Sequence, residues 1–254
     1  GIQGIQGISK LQLLRCEEAL KSALQKGGAD LKRQAKETGF LLSPHLAYRY
    51  FMSVDWADQY NGRSIDDAIL DSTHWRHDFR VHRIDPNRIA RMVMQGVGYV
   101  AEVPDKMGRA IVHLKVSRNV RKEVPDDYAQ LLMYTIERAD RLSEQGAGQF
   151  VALVDLRAFS WAACPPLAQI KLCVTLLKHY PYRLSTVYVL NAPAAFHLLW
   201  RFLAPLLSPK ALSKISLIGN HYCCHYYCCH NYHCHYYYYH YYHCHYYYYH
   251  YCHY

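Results

Sequence analysis

The sequence predicts an α/β protein in which a mostly parallel sheet is covered by helices and preceded by a small helical unit. From residue 86 onward, strand-like apolar runs alternate with segments of helical periodicity, as βαβ units require. Two of these runs, 150–155 and 187–191, are apolar at nearly every position, which is typical of strands buried on both faces. Before residue 86, helical segments follow one another without an intervening strand pattern.

The N-terminal part divides into a disordered lead over 1–9 and a helical unit over 10–85. The predicted helices of this unit span 10–26, 44–59 and 64–79. Gly27-Gly28 is expected to end the first helix, because glycine adopts the left-handed conformation that closes a helix. Ser43-Pro44 is typical of a helix start, and Ser64 is expected to cap the third helix.

The α/β domain is predicted over 86–220, and it begins with a helix that Asp85 caps. Its predicted strands are 98–102, 110–117, 149–156, 186–190 and 215–218. Its further predicted helices are 125–145, 166–180 and 194–207. Because strands and helices alternate, these strands should belong to one sheet.

The 254 residues carry a net charge of +9, and every charged side chain precedes residue 221. Such an excess suits nucleic acid and an anionic membrane surface equally, so charge alone does not choose between them. Outside the C-terminal tract, the only cysteines are Cys16, Cys164 and Cys173, which indicates a reducing, cytoplasmic compartment rather than a disulfide framework. The longest apolar stretch, 198–207, is too short to span a bilayer.

Residues 221–254 contain only Tyr, His, Cys and one Asn. We interpret this tract as a low-complexity tail, because codons for these four residues share a purine second and a pyrimidine third base. The alternative is metal capture, since the tract has many potential ligands, among them Cys223, Cys224 and His225. Zinc sites usually place structured turns between ligand pairs, and the tract contains neither Gly nor Pro. We therefore expect no metal site.

The chain contains none of the glycine-rich nucleotide-binding motifs and no serine-nucleophile motif. Asp155 ends a strand, where it is expected to cap the following turn rather than to act in catalysis. His113 and His179 are interpreted as structural residues. The sequence therefore predicts neither an enzyme nor a cofactor.

The predicted helix 194–207 is apolar nearly all round, with His197 and Arg201 as the strongly polar residues of its first three turns. A helix of this kind either lies in the centre of a core or buries one face and offers the other to an apolar partner. Periodicity alone leaves both alternatives open.

Several ordered motifs bear on this choice. They are Asp105–Ile111, Val154–Ser160, Tyr180-Pro181-x-Arg183-Leu184, Val187–Pro193, Phe202-x-x-Pro205-Leu206-Leu207 and Lys214-Ile215. Trp75-Arg76 precedes them at the end of the helical unit. Together, over about 46–219, this series resembles the signature of the CRAL-TRIO lipid-binding family.

The resemblance implies that the sheet floors a hydrophobic pocket and that helix 194–207 is a mobile gate that closes it. The lipid-binding residues that it implies are Phe159, Tyr188, Leu190, Phe196, Leu199, Trp200 and Leu203. The partners are then a lipid or other small hydrophobic molecule and, transiently, a membrane surface, without nucleic acid. Two alternatives stay open: a membrane-associated interaction module that transfers nothing, and a truncated, non-functional product. The sequence does not indicate an oligomeric state.

The sequence departs from the family pattern at the lipid headgroup. Members that bind phosphatidylinositol carry a Glu and a Lys at positions that correspond to Lys171 and Ala204. The small hydroxyl residues that serve phosphatidylcholine correspond to Phe150 and Ala152. A phosphoinositide cargo is therefore not expected. The resemblance also implies a further helix after the last strand, where Gly219-Asn220 leads into the tract instead, so we interpret the domain as incomplete at its end.

Overall fold

A computed structural model describes residues 8–115, 125–144, 148–157, 159, 172, 175–207 and 209–218. The helical unit consists of α1 (Lys10–Thr38), α2 (Pro44–Ser53), α3 (Ile65–Asp78) and a small hairpin of β1 (Gln59–Tyr60) and β2 (Arg63–Ser64). Its core is formed by Cys16, Ala23, Leu46, Ala47, Tyr50, Phe51, Ile65, Ala68 and Ile69. Ser64 accepts a hydrogen bond from the amide of Asp67, which confirms the predicted cap of α3.

The first helix does not end at its glycine pair, so the prediction that it stops at residue 26 was wrong. Gly28 takes a positive φ of 55° and produces a kink, after which the helix continues to Thr38. Gly27 permits a close approach, because a Cβ at this position would lie 2.5 Å from the Leu31 Cβ and 2.7 Å from a methyl group of Leu70 on α3. The glycine pair therefore allows α1 to approach α3 closely, and it does not terminate α1.

The second helix ends at Ser53, earlier than the predicted residue 59. Asp55 and Trp56 both adopt positive φ values, 52° and 67°, which the right-handed helix cannot accommodate. The chain then forms the hairpin β1–β2 around Asn61 and Gly62, whose φ values of 51° and 78° suit a tight two-residue turn.

The second unit contains one five-stranded sheet. Its strands, in their spatial order, are β3 (Gly98–Val100), β4 (Ala110–Lys115), β5 (Phe150–Asp155), β6 (Leu184–Leu190) and β7 (Ile215–Ile218). Strands β3 and β4 pair antiparallel, and the other three pairings are parallel. The predicted α/β class and the mostly parallel sheet are confirmed.

Helices α4 (Pro86–Met94), α5 (Pro125–Glu144), α6 (Ala194–Leu203) and α7 (Pro209–Leu212) belong to the same unit. Asp85 caps α4 by accepting a hydrogen bond from the amide of Asn87, as predicted. The predicted helix 166–180 lies mostly outside the described residues, although 175–178 are helical. The predicted helix 194–207 ends at Leu203 and continues as a 3₁₀ turn, Ala204–Leu206.

The described helices α5 and α6 cover the same face of the sheet. Val112, Ala152 and Val187 are register partners on three adjacent strands, so their side chains share one face. Val112 packs in the cluster that contains the buried side of α5, and Val187 packs against the cluster of α6. This arrangement follows from right-handed crossovers between strands that are added in chain order.

In the described part of the chain, no helix has both the length and the hydropathy that crossing a bilayer would require. Residues 1–7 of the predicted lead over 1–9 and the tract over 221–254 lie outside the described residues, whereas Ser9 caps α1 by accepting a hydrogen bond from the amide of Gln12.

Candidate functional site

A turn at Asn191 fixes the start of the apolar helix α6. Asn191 has a φ of 55°, a left-handed conformation that Asn tolerates better than most residues. Its amide donates a hydrogen bond to the carbonyl of Ile218 at 2.9 Å, and its side-chain Nδ2 donates to Asp155 Oδ1 at 3.0 Å. Because these partners are the last residues of β5 and β7, the turn that leads into α6 is attached to both neighbours of β6.

Asp155 makes this turn rigid. Its Oδ1 also accepts a hydrogen bond from the Arg157 amide at 2.9 Å, so the predicted capping role is confirmed. The guanidinium of Arg157 lies 2.8 Å from Oδ2. Burial alone would raise the pKa of Asp155, but the hydrogen bonds from Arg157 and Asn191 outweigh it and lower the pKa. The carboxylate therefore stays ionised and serves as an acceptor in the turn.

One face of α6 packs directly on the sheet. Phe196 is only 6% exposed and forms a cluster with Leu156, Val189 and Ala192. Its ring contacts Phe159 edge-on, with 6.3 Å between centroids, and Trp200 in a tilted arrangement at 6.1 Å. Both distances lie within the range of favourable aromatic pairs.

The opposite face of α6 is apolar and exposed. Leu198 is 54% exposed and Phe202 is 71% exposed. Because these residues are four positions apart, they lie on one side of the helix, next to the exposed Arg201. The helix therefore has an apolar face against the sheet and a second apolar stripe in contact with solvent.

The seven predicted site residues fall into three groups. Phe159, Phe196 and Trp200 lie together between α6 and the sheet. Tyr188 and Leu190 alternate along β6 with residues that pack under α6, so they lie on the opposite face of the sheet. The side chains of Leu199 and Leu203 lie outside the described part of the structure. Strand alternation, which is readable in the sequence, could have separated Tyr188 and Leu190 from the others.

The headgroup positions that can be located carry no polar side chain. Phe150 is 2% exposed and packs in the cluster with α5, and Ala152 is also buried. Ala204 begins the 3₁₀ turn after α6, and Lys171 lies outside the described residues. The described headgroup positions therefore supply neither a hydroxyl nor a charge.

A buried polar network joins the helical unit to this domain, and the sequence did not predict it. Arg76 at the end of α3 forms a buried ion pair with Glu137 of α5 at 2.7 Å. The hydroxyl of Tyr180 donates to the same carboxylate. The guanidinium of Arg76 also lies over the rings of Phe40 and Tyr180, at 4.6 Å and 5.3 Å from their centroids. Burial holds the pKa of Tyr180 well above its usual value, so its hydroxyl keeps its proton.

Both histidines that were interpreted as structural have partners. His113 stacks on Tyr99 with 4.8 Å between ring centroids. His179 stacks on Trp75 at 4.1 Å, and its Nδ1 lies 3.0 Å from the hydroxyl of Ser72. Burial is the main cause that lowers the pKa of His179 to about 4. His179 is therefore neutral at physiological pH and belongs to the contact between the two units.

Comparisons with known proteins agree with this arrangement. The CRAL/TRIO domain matches residues 94–231, more than half of the chain. A CRAL-TRIO domain-containing protein of Schizosaccharomyces pombe is 26% identical over 179 residues, which are 68% of this chain and 17% of the relative. The phosphatidylinositol/phosphatidylcholine transfer protein SFH9 of Arabidopsis thaliana is 35% identical over 77 residues, which are 29% of this chain and 13% of the relative.

The chain thus spans less than a fifth of the length of either relative. The crystal structure of Sfh5 is similar with a TM-score of 0.54 at 16% sequence identity, covering 68% of this chain and 65% of that chain. The two chains are therefore similar in fold. The chain belongs to the CRAL-TRIO family, whose members bind and transfer lipids or other small hydrophobic molecules.

Proposed function

We propose that this chain binds a lipid or another small hydrophobic molecule and exchanges it at a membrane surface. The observation that carries the proposal is the two-sided apolar character of α6. Phe196 and Trp200 face the sheet, whereas Leu198 and Phe202 face solvent. Family membership supports the same activity.

The energetics of lipid exchange explain why such a helix is useful. Moving an acyl chain into water costs about 0.8 kcal/mol for each CH₂ group. A carrier therefore has to keep its cargo in apolar contact, and exchange has to occur at the bilayer surface. A gate helix with apolar side chains on both faces is stable against the pocket when closed and in the membrane interface when open.

The net charge of +9 supports the membrane step. Anionic lipids of the cytoplasmic leaflet attract basic proteins by about 1 kcal/mol for each Lys or Arg near the surface. We therefore propose a peripheral, transient association with membranes from the cytoplasm, without an enzymatic role.

The cargo that best fits these residues has no phosphorylated headgroup. Phe150 and Ala152 are apolar where phosphatidylcholine-binding members carry hydroxyls, and Ala204 replaces a lysine. Such a pocket is better suited to a neutral hydrophobic molecule than to phosphatidylinositol.

Lipid extraction from the purified protein, followed by mass spectrometry, tests the proposal. We expect a stoichiometric hydrophobic ligand and, in a vesicle assay, protein-dependent transfer of that ligand. Purified protein without ligand and without transfer between vesicles would contradict the proposal.

One observation favours a second candidate, an interaction module that transfers nothing. Phe196 packs directly against the sheet, as it would in a collapsed pocket. Titration with a fluorescent fatty alcohol separates the two functions, because only an accessible pocket gives saturable binding.

A further inference from the structure

The segment that follows the gate helix is attached to the helical unit through Lys210. Lys210 lies on the short helix α7, and its Nζ is 2.7 Å from Asp55 Oδ1 and 3.0 Å from the carbonyl oxygen of Met52. Both acceptors belong to the end of α2 and the turn that follows it. The segment that follows α6 is thus connected to the helical unit, which lies outside the sheet.

The turn that presents these acceptors is strained. Asp55 and Trp56 are consecutive residues with positive φ, a conformation that residues other than glycine adopt only at a cost. It persists because Trp56 stacks on Phe51, with 5.3 Å between ring centroids and 10° between planes. The amide of Trp56 also donates a 2.8 Å hydrogen bond to the carbonyl of Phe51.

Helix α1 supports the same turn from its other side. The guanidinium of Arg15 donates hydrogen bonds to the carbonyl of Trp56 at 3.1 Å and to Asp58 at 2.6 Å. It also lies over the ring of Phe51, 4.7 Å from the centroid. The acceptors for Lys210 are therefore held in place before Lys210 binds them.

The two ends of the gate helix differ in the kind of attachment. Its start is held by Asn191, whose side chain binds the buried Asp155 and whose amide binds the half-buried Ile218. Its end is held by Lys210, through an ion pair whose side chains are 36% (Lys210) and 85% (Asp55) exposed and through the hydrogen bond to the Met52 carbonyl. Exposed ion pairs are weak and are screened by salt. Breaking the attachment at the end of the helix therefore costs less free energy than breaking the attachment at its start.

We propose that Lys210 and the turn at Asp55 form a latch that holds the gate helix closed. Lys210 is then a positioning residue that sets the rate of ligand entry and release. This inference rests on the proposed lipid-exchange function, but the latch itself can be tested without any ligand.

Hydrogen exchange of the full, ligand-free chain tests the latch directly. In Lys210→Ala and in Asp55→Asn, we expect amide exchange over 194–212 to rise about 1.5- to 5-fold, the range expected from losing a weak ion pair. The double variant should exchange no faster than Lys210→Ala alone, because Lys210→Ala already removes the ion pair that Asp55→Asn breaks. High salt should accelerate exchange in the wild type and leave the variants unchanged.

Asp71→Asn is the matched control, because it breaks the exposed Arg63–Asp71 pair at 2.6 Å within the helical unit. It should leave exchange over 194–212 at the wild-type level. Wild-type exchange in both latch variants, or additive effects in the double variant, would overturn the latch.

Uptake of a pyrene-labelled fatty alcohol from vesicles of phosphatidylcholine and phosphatidylserine tests the functional step. We expect faster uptake in Lys210→Ala by a similar factor and a wild-type rate in Lys210→Arg, which keeps the charge. Faster amide exchange with unchanged uptake would show that the latch does not position the gate. A wild-type protein that takes up no probe would contradict the proposed function, while hydrogen exchange would still decide on the latch.

Discussion

The guanidinium of Arg76 and the carboxylate of Glu137 form a buried ion pair at 2.7 Å across the boundary between α3 and α5. The hydroxyl of Tyr180 donates a hydrogen bond to the same carboxylate, so side chains from both units meet at Glu137. The helical unit and the α/β domain therefore share a polar centre in addition to their separate apolar cores.

Replacing Arg76 with Ala should strongly destabilise the protein. The variant would leave the Glu137 carboxylate buried without a cation, and this should lower the free energy of unfolding by about 3–5 kcal/mol. Urea denaturation measures the change. Arg33→Ala, which removes an exposed pair with Asp30, is the control and should cost less than about 1 kcal/mol. Equal losses in the two variants would contradict the importance of the buried pair.

His179 should make stability depend on pH. Its pKa is about 4 in the folded chain and about 6.5 in an unfolded one, so the unfolded state binds the proton more readily. The stabilising contribution is complete above pH 6.5 and is lost as the pH falls towards 4, by on the order of 3 kcal/mol.

Chemical denaturation of the wild type and of His179→Phe between pH 7 and about pH 4 measures this contribution. Phenylalanine retains a ring that can stack on Trp75 but does not titrate. The slope of stability against pH should therefore be smaller in the variant. An unchanged slope would assign the pH dependence to other groups.

The exposed stripe of α6 should contribute to membrane binding. Leu198→Ser together with Phe202→Ser removes two apolar side chains from the solvent-facing side, and each is worth about 1 kcal/mol or more on entering an apolar interface. We expect vesicle cosedimentation to weaken about 10-fold or more, with an unchanged free energy of unfolding. Leu41→Ser, at an exposed leucine of the helical unit, serves as the control. If both variants bind equally well, the stripe is not the membrane contact.

Phosphatidylinositol should compete poorly against a neutral hydrophobic ligand, because the family's Glu and Lys positions are occupied by Lys171 and Ala204. Introducing Lys171→Glu and Ala204→Lys together should improve competition by about 10-fold, the value of one charge-assisted hydrogen bond. A displacement assay with a fluorescent fatty alcohol measures both proteins. Strong competition by phosphatidylinositol in the wild type would show that these positions do not govern the headgroup.

The strands could be predicted because each is a short apolar run that is visible in the sequence without knowledge of its tertiary contacts. Strand β7 agrees residue for residue with the prediction, and β5 differs by one residue at each end. The continuation of α1 was missed because Gly27 acts through a contact with Leu70, which is distant in sequence. Local signals favoured a helix end, and tertiary packing overrode them.

The candidate site was only partly readable from the sequence. The apolar character of α6 is evident in the sequence, and Phe196 and Trp200 follow from it. The bridge from Lys210 to Asp55 joins residues 155 positions apart and depends on an unusual turn, so no periodicity indicates it. The same holds for Arg76 and Glu137, whose pairing exists only once the two units have docked.

The spatial order of the five strands matches their order in the chain. During synthesis on the ribosome, each new strand can therefore add to the edge formed by the preceding one, without being inserted between two existing strands. Ile215 and Leu217 of β7 pack against the cluster under α6, so this cluster gains part of its partner surface only when β7 is added. Until β7 emerges, the apolar side of α6 and the free edge of β6 lack part of their partner surface, and this exposes the nascent chain to aggregation.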